Sequence, residues 1–200
     1  PFGIRPLVIG KLNNSYVFAS ETCALDIIGA KYVRDVENGE IVTIQHNKLS
    51  SIKPFPLKKI RPCVFEYIYF SRPDSMLMGK CAYEFRKNFG AELAKEHSLK
   101  ADLVVPVPDS GNAAAIGFSQ LTKIPFDLGL IRNHYVGRTF IEPAQKIRSL
   151  GVKLKLNANK TTIKNKVIIL IDDSLVRGTT SHKIVKMLYD AGAKEVHVRI

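Results

Sequence analysis

The sequence predicts an α/β protein, a doubly wound and mostly parallel sheet preceded by a smaller β-rich region. Two observations carry the parallel sheet. From about residue 63 onward, apolar runs of strand length alternate with helix-length stretches of about 10 to 20 residues. Within that alternation "VIILI" (167–171) is apolar at every position, as a strand covered on both faces must be, and it runs directly into Asp172 and Asp173. A third observation sets the first 60 residues apart: they read as short β-type runs joined by turns.

The elements follow in order. "RPLVIG", "SYVFAS", "KYVRDV" and "EIVTI" are expected strands, and "ENGE" (37–40) is a hairpin-like turn. "SIKPFPLKKIRP" (51–62) holds three prolines, which suits an extended connector and places a domain boundary near Pro62, dividing the chain into 1–62 and 63–200. "CVFEYIYF" (63–70) reads as a strand and "SRPDS" (71–75) as a turn or helix start. Phe85, Phe89 and Leu93 recur at four-residue spacing and predict a helix from about Met76 to His97. "DLVVPV" (102–107) is a strand, Gly111 to Thr122 a helix of small residues, and "PFDLGLI" (125–131) a further strand. After a basic stretch come strand 167–171, helix 180–190, a stop at "AGA" (191–193) and the strand "EVHVRI".

Composition bounds the function classes. No apolar run approaches the roughly 20 residues of a membrane span, and "PFGIRPLVIG" lacks the charged-then-apolar pattern of a signal peptide, so a soluble, cytoplasmic protein is expected. Cys23, Cys63 and Cys81 are odd in number and widely spaced, which argues against a disulfide framework. The net charge of +12 is uneven: between Arg132 and Lys166 nine Lys or Arg face one acid, Glu142. A nucleic acid, a polyphosphorylated small molecule or a solvated basic face would each account for it. The chain begins and stops inside β-type runs, so both of its ends read as cut from a longer protein.

The aspartate pair is the sharpest chemical signal. In open α/β sheets, ligands bind beyond the carboxyl ends of strands. One Asp there is often a cap or a turn residue. Two adjacent carboxylates after a buried strand cost several kcal/mol unless each is compensated, for which sugar hydroxyls or Mg²⁺ are suited. The residues that follow supply the complement. Ser174, Thr179 and Thr180 carry hydroxyls, Gly178 allows close backbone approach, and a helix starting near Thr180 directs free N–H groups and its positive dipole end at the loop. Neither G-x-x-x-x-G-K-[ST] nor G-x-G-x-x-G occurs in the chain. A sugar phosphate is implied, with carboxylates on the ribose diol and the loop on the 5′-phosphate.

Four apolar positions, two acids and S-x-x-x-G-T-T resemble the phosphoribosyl pyrophosphate (PRPP) signature of type I phosphoribosyltransferases. "CVFEYIYFSRPDS" (63–75), "VPVPDSGNAAAIGF" (105–118), "IRNHYVGRTFIEPAQKIRSLGVKLKLN" (131–157) and "ASETCALDIIGA" narrow the resemblance to the glutamine PRPP amidotransferase, or amidophosphoribosyltransferase, family over essentially the whole chain. The resemblance implies a type I phosphoribosyltransferase fold over 63–200, truncated at its C-terminus. Residues 1–62 would be a β-rich remnant of an N-terminal-nucleophile glutaminase domain. It implies the first committed step of de novo purine nucleotide biosynthesis: PRPP and glutamine, or ammonia, give 5-phosphoribosylamine, glutamate and pyrophosphate.

Site roles implied by the resemblance fall on matching positions. Asp109 and Ser110 lie in the pyrophosphate loop, with Ser110 toward Mg²⁺. Asp172 and Asp173 bind the ribose diol and the metal, and Ser174, Val176, Arg177, Gly178, Thr179 and Thr180 form the 5′-phosphate loop. Arg132, Tyr135 and Arg138 belong to a loop that closes over PRPP. The family usually has Lys where Arg132 stands and Arg where His134 stands. Its glutaminase nucleophile is an N-terminal cysteine, and this chain begins with Pro1. Cys63 matches a position that ligates a 4Fe–4S cluster in some members, with a buried thiol as the plain alternative; Cys23 and Cys81 match no ligand position. Purine nucleotide feedback inhibitors, a homodimer or homotetramer, and no nucleic acid or membrane partner are likewise implied. Two rivals stand beside this reading: a PRPP-sensing regulator that binds nucleic acid, and a phosphoribosyltransferase acting on a free base.

Overall fold

The first strands of the chain gather on one small core. The structure, a computed structural model, describes residues 2–96, 99–134 and 155–200, and divides into two units, Pro1–Phe85 and Arg86–Ile200. In the first unit, β1 (Val8–Leu12) lies between β2 (Ser15–Ala19) and β3 (Lys31–Asp35), both antiparallel to it. Helix α1 (Thr22–Ile27) buries Leu25 with Val8 and Ala30. Gly10 lies close against this core: a Cβ there would sit 2.7 Å from Leu25 Cδ2, so the leucine would have to shift. β4 (Ile41–Gln45) and β5 (Lys48–Ile52) form a separate hairpin.

Three expectations are corrected in this unit. "ENGE" turns the chain, with the Glu40 N–H donating to Glu37 O at 3.2 Å, but it joins β3 and β4, which belong to different sheets. The real hairpin turn is His46–Asn47, at φ 49° and 58°, the left-handed pair that a tight two-residue turn demands. "CVFEYIYF" is helical rather than extended, with a π-helical turn over Glu66–Phe70 closed by Ser71 N–H to Glu66 O at 3.3 Å. Tertiary contacts override its β-type composition: the buried Glu66 carboxylate is held by Ser71 Oγ at 2.8 Å and Arg5 Nε at 2.8 Å. The expected helix start at Met76 is instead a hairpin, β6 (Met76–Leu77) and β7 (Lys80–Cys81), turned at Met78–Gly79 with φ 48° and 80°. Helix α2 (Ala82–Glu96) begins after it, where Ala82 and Tyr83 donate their N–H groups to Ser75 O and Pro73 O, each at 2.8 Å.

The second unit contains the parallel sheet. β8 (Leu103–Pro106), β11 (Val167–Ile171) and β12 (Glu195–Arg199) lie in the order β12-β11-β8, all parallel. Alternation along β11 accounts for its unbroken apolar run. Ile168 and Leu170 pack with Leu130, Ile163, Ile184 and Leu188 on one face, whereas Ile169 and Ile171 pack with Ala94, Ala115 and Phe118 on the other. Helix α3 (Asn112–Thr122) and α2 cover the second face. α4 (Lys160–Ile163) and α5 (Thr179–Asp190) cover the first. The sheet is therefore doubly wound, as expected.

The run 125–131 is split. Phe126 bridges Val104 in parallel, while β9 (Leu130–Arg132) pairs antiparallel with β10 (Leu156–Ala158), a strand that the basic stretch did not announce. Gly129 divides the two parts, packed so closely on Val105 that a Cβ would lie 2.8 Å from Cγ2.

α2 and α3 touch backbone to backbone. A Cβ on Gly90 would stand 1.8 Å from Ala114 O, and one on Gly117 1.9 Å from Lys87 O. Gly117→Ala should therefore force the helices apart and destabilise the fold by about 1–3 kcal/mol despite alanine's better helix propensity. Urea denaturation measures it, and an unchanged midpoint would show that the crossing yields.

Candidate phosphate and sugar site at the strand ends

The carboxyl ends of β8 and β11 are neighbours, since Pro106 pairs with Ile171. The loop after β8 is tied to the end of β11: Val107 N–H donates to Ile171 O at 2.8 Å, and Gly111 N–H returns to Val107 O at 2.9 Å. Gly111 presses on the same carbonyl, because a Cβ there would lie 2.4 Å from Ile171 O. Ser110 is carried in this loop, and Asp172 and Asp173 leave Ile171 directly. The peptide joining Pro108 to Asp109 is cis.

Asp173 N–H donates to Asp172 Oδ1 at 2.9 Å, and Ser174 Oγ donates to Asp173 Oδ1 at 3.1 Å. Asp173 Oδ2 is buried without a hydrogen-bond partner. Burial pushes the Asp172 carboxyl up to about 7; the Asp173 N–H opposes that rise and the adjacent Asp173 carboxylate adds to it. A site with an orphaned buried carboxylate oxygen and a carboxyl that resists ionising is short of positive charge or hydrogen-bond donors. Beyond it, Gly178 adopts φ 70° and starts α5. The first N–H to turn back along the axis is that of His182, to Gly178 O at 2.9 Å, so those of Thr179, Thr180 and Ser181 face out of the helix start. The Thr179 and Thr180 side chains are exposed, as are Val176 and Arg177.

Arg132, at the end of β9, reaches back to this edge, where its Nη1 pairs with Asp109 Oδ2. A cavity of about 140 Å³ adjoins the pair, lined among others by Pro108, Asn112, Leu130 and His134. Asp109, Ser110, Arg132, Asp172, Asp173 and the loop 174–180 thus share one edge of the second unit. Tyr135 and Arg138 lie outside the described residues.

Two residues at this edge were not singled out from the sequence. Asn112, which opens α3, buries Oδ1 without a partner, and Arg199, opposite Ile171 on β12, buries Nε without one. The rule that ligand sites gather at strand carboxyl ends would have pointed to Arg199, the last residue of its strand. Cys63 lies in the first unit and its thiol is free, as are Cys23 and Cys81. Among the described residues no three His, Cys, Asp or Glu side chains group as metal ligands, so these three cysteines do not assemble a cluster site.

A doubly wound parallel sheet with paired acids at one strand end and a hydroxyl-rich loop opening the next helix defines an α/β protein whose polar groups gather beyond its strand ends, where open sheets of this kind bind their ligands. Comparison with known proteins is more specific. The chain is 57% identical over 205 residues to an amidophosphoribosyltransferase of Rhizobium etli, covering 100% of this chain and 41% of that protein. It is 57% identical over 203 residues to the Synechocystis enzyme of the same name, again covering 100% and 41%. The solved glutamine PRPP amidotransferase from Bacillus subtilis, complexed with ADP and GMP, superposes with a TM-score of 0.89 at 51% identity, over 99% of this chain and 44% of that one. No protein-family model matches. The chain belongs to the amidophosphoribosyltransferase family and spans about two fifths of the length of the curated relatives it matches.

The Asp172 shift has a measurable consequence. Its folded-state pKa of about 7 exceeds the ordinary 3.8, so between those values the folded protein binds more proton than the unfolded one. Without ligand, stability should fall as pH rises from about 4 to about 7, and Asp172→Asn should flatten that slope. Denaturation midpoints at pH 5 and pH 8 compare the two proteins; an identical slope in both would refute the assignment.

Proposed function

We propose that the protein containing this chain is an amidophosphoribosyltransferase, a pentosyltransferase that makes 5-phosphoribosylamine and pyrophosphate from PRPP and ammonia drawn from glutamine. The observation that carries this reading is the carboxylate pair at the end of β11, with a buried oxygen lacking a partner, followed within one short loop by a helix start whose first N–H groups face outward. Identity of 57% across the whole chain to amidophosphoribosyltransferases supports the assignment of substrate. The solved relative's complex with ADP and GMP supports purine nucleotides as feedback ligands.

In this reading the 5′-phosphate sits on the N–H groups and hydroxyls of Ser174 to Thr180, where the helix dipole and hydrogen bonds favour a dianion. Asp172 and Asp173 accept hydrogen bonds from the ribose hydroxyls, which supply the donors that Asp173 Oδ2 lacks. The loop 107–111 cradles the pyrophosphate through its backbone and Ser110, and Arg132 adds a guanidinium suited to phosphate oxygens. Mg²⁺ would be held by Asp172, Asp173 and Ser110 together with substrate oxygens; one or two protein carboxylates plus phosphate is the usual donor set for that ion, and it would neutralise charge on the leaving group. C1 of the ribose then loses pyrophosphate as ammonia bonds from the opposite face. The chain's part in this is orientation and charge stabilisation, with no nucleophile of its own.

The finer assignments belong to the same proposal. Residues 1–62 are the tail of a glutaminase domain of the N-terminal-nucleophile type, and 63–200 the phosphoribosyltransferase part. The assembled enzyme is a cytoplasmic homo-oligomer. No helix among the described residues is long and apolar enough to cross a membrane.

Asp172→Asn should weaken Mg²⁺–PRPP binding at least about 100-fold while leaving the fold intact, because a buried hydrogen bond to a charged group, and a metal ligand, are lost together. Calorimetric titration of the intact protein reads the affinity and circular dichroism the fold. PRPP binding as tight as wild type would remove the central support for this function.

A further inference from the structure

Resting on the reading of loop 107–111 as the pyrophosphate loop, we propose that Asp109 is a positioning residue for Arg132 rather than a ligand of PRPP. Its carboxylate competes with the pyrophosphate for the Arg132 guanidinium, and so limits how tightly the leaving group is held.

Charge is the first argument. Pyrophosphate carries several negative charges, and a carboxylate in the same loop repels it. Such a group belongs there only if its charge is taken up by a neighbour, and Asp109 Oδ2 pairs with Arg132 Nη1. Among the described residues that line the adjoining cavity, Asp109 is the one acid and Arg132 the one permanent cation.

Geometry is the second. The Arg132 backbone is fixed as the last residue of β9, opposite Leu156 on β10. Reorientation is therefore left to its side chain, which is 45% exposed, while that of Asp109 is 54% exposed. An anion arriving from solvent reaches the pair directly, and the cavity of about 140 Å³ beside it gives the guanidinium space to turn. Asn112 Oδ1, buried and unpaired at the same cavity, offers it an acceptor there. A half-exposed ion pair is weak enough for a multiply charged ligand to displace, yet it lowers the net gain from doing so. A site that must release pyrophosphate on every turnover benefits from that limit.

The test uses the intact protein and two probes, Mg²⁺–pyrophosphate and ribose 5-phosphate, titrated calorimetrically into wild type, Asp109→Asn and Asp109→Glu. Asp109→Asn should bind pyrophosphate about three- to tenfold more tightly, with ribose 5-phosphate affinity within about twofold of wild type. Asp109→Glu, which restores the charge, should behave as wild type. Unchanged or weaker pyrophosphate binding in Asp109→Asn would overturn the proposal, as would an equal gain for both probes. If wild type binds ribose 5-phosphate but not pyrophosphate, the loop assignment fails and the proposal with it. If wild type binds neither, the sugar phosphate reading itself falls.

Discussion

The arrangement depends on β11 being buried on both faces while ending in two charges. Ile168 to Ile171 are almost wholly removed from water, and one residue later the chain presents Asp172 and Asp173. The buried run fixes register on both sides, with Pro106 and Arg199 opposite Ile171. A slip by one residue would turn each apolar side chain to the wrong core and move the carboxylates with it. Hydrophobic packing therefore positions groups that the packing itself disfavours, and the imbalance remains stored at the edge. Asp172 is driven toward its neutral form and Asp173 Oδ2 is left without a donor. Hydrogen-bond donors and positive charge are what such an edge lacks.

What was legible in the sequence was local. The apolar run 167–171, the helix after Gly178 and the small-residue helix after Gly111 announce themselves through composition and punctuation within a few residues. The segments misread are those decided by distant partners. "CVFEYIYF" has the aromatic and β-branched content of a strand, but Arg5, some 60 positions away in the chain, and Ser71 hold Glu66 in a helical turn. Met78–Gly79 carries a recognisable turn signal that the helical spacing of Phe85, Phe89 and Leu93 overshadowed. β9 and β10 are three residues each and paired across a long insertion, too short for any periodicity to show.

The candidate site divides the same way. Asp172, Asp173 and the loop to Thr180 are contiguous, so a short signature contains them. Ser110 and Arg132 come from separate segments, and only the resemblance to a family placed them beside the acids. The Asp109–Arg132 pair and the unpaired atoms of Asn112 and Arg199 depend on three-dimensional convergence, and no spacing rule encodes them. The second unit's strand ends thus combine a part written in one stretch of sequence with a part assembled by the fold.

The loop after β8 illustrates what that assembly permits. Val107 is bonded to Ile171 O, Gly111 returns to Val107 O, and the Gly111 Cα leaves no room against the same Ile171 carbonyl. One end of the loop is thus bonded to the Ile171 carbonyl, while the other closes back on Val107 and packs against that same carbonyl, which constrains the loop's length. An inserted residue would have to break the closing bond or push the strand end away. Within such a frame, the side chains of Pro108, Asp109 and Ser110 are the ones that can change without disturbing the closing contacts. New ligand preferences at this edge would therefore arise by substitution at those positions, or by lengthening the segments around it, rather than by remodelling the loop itself.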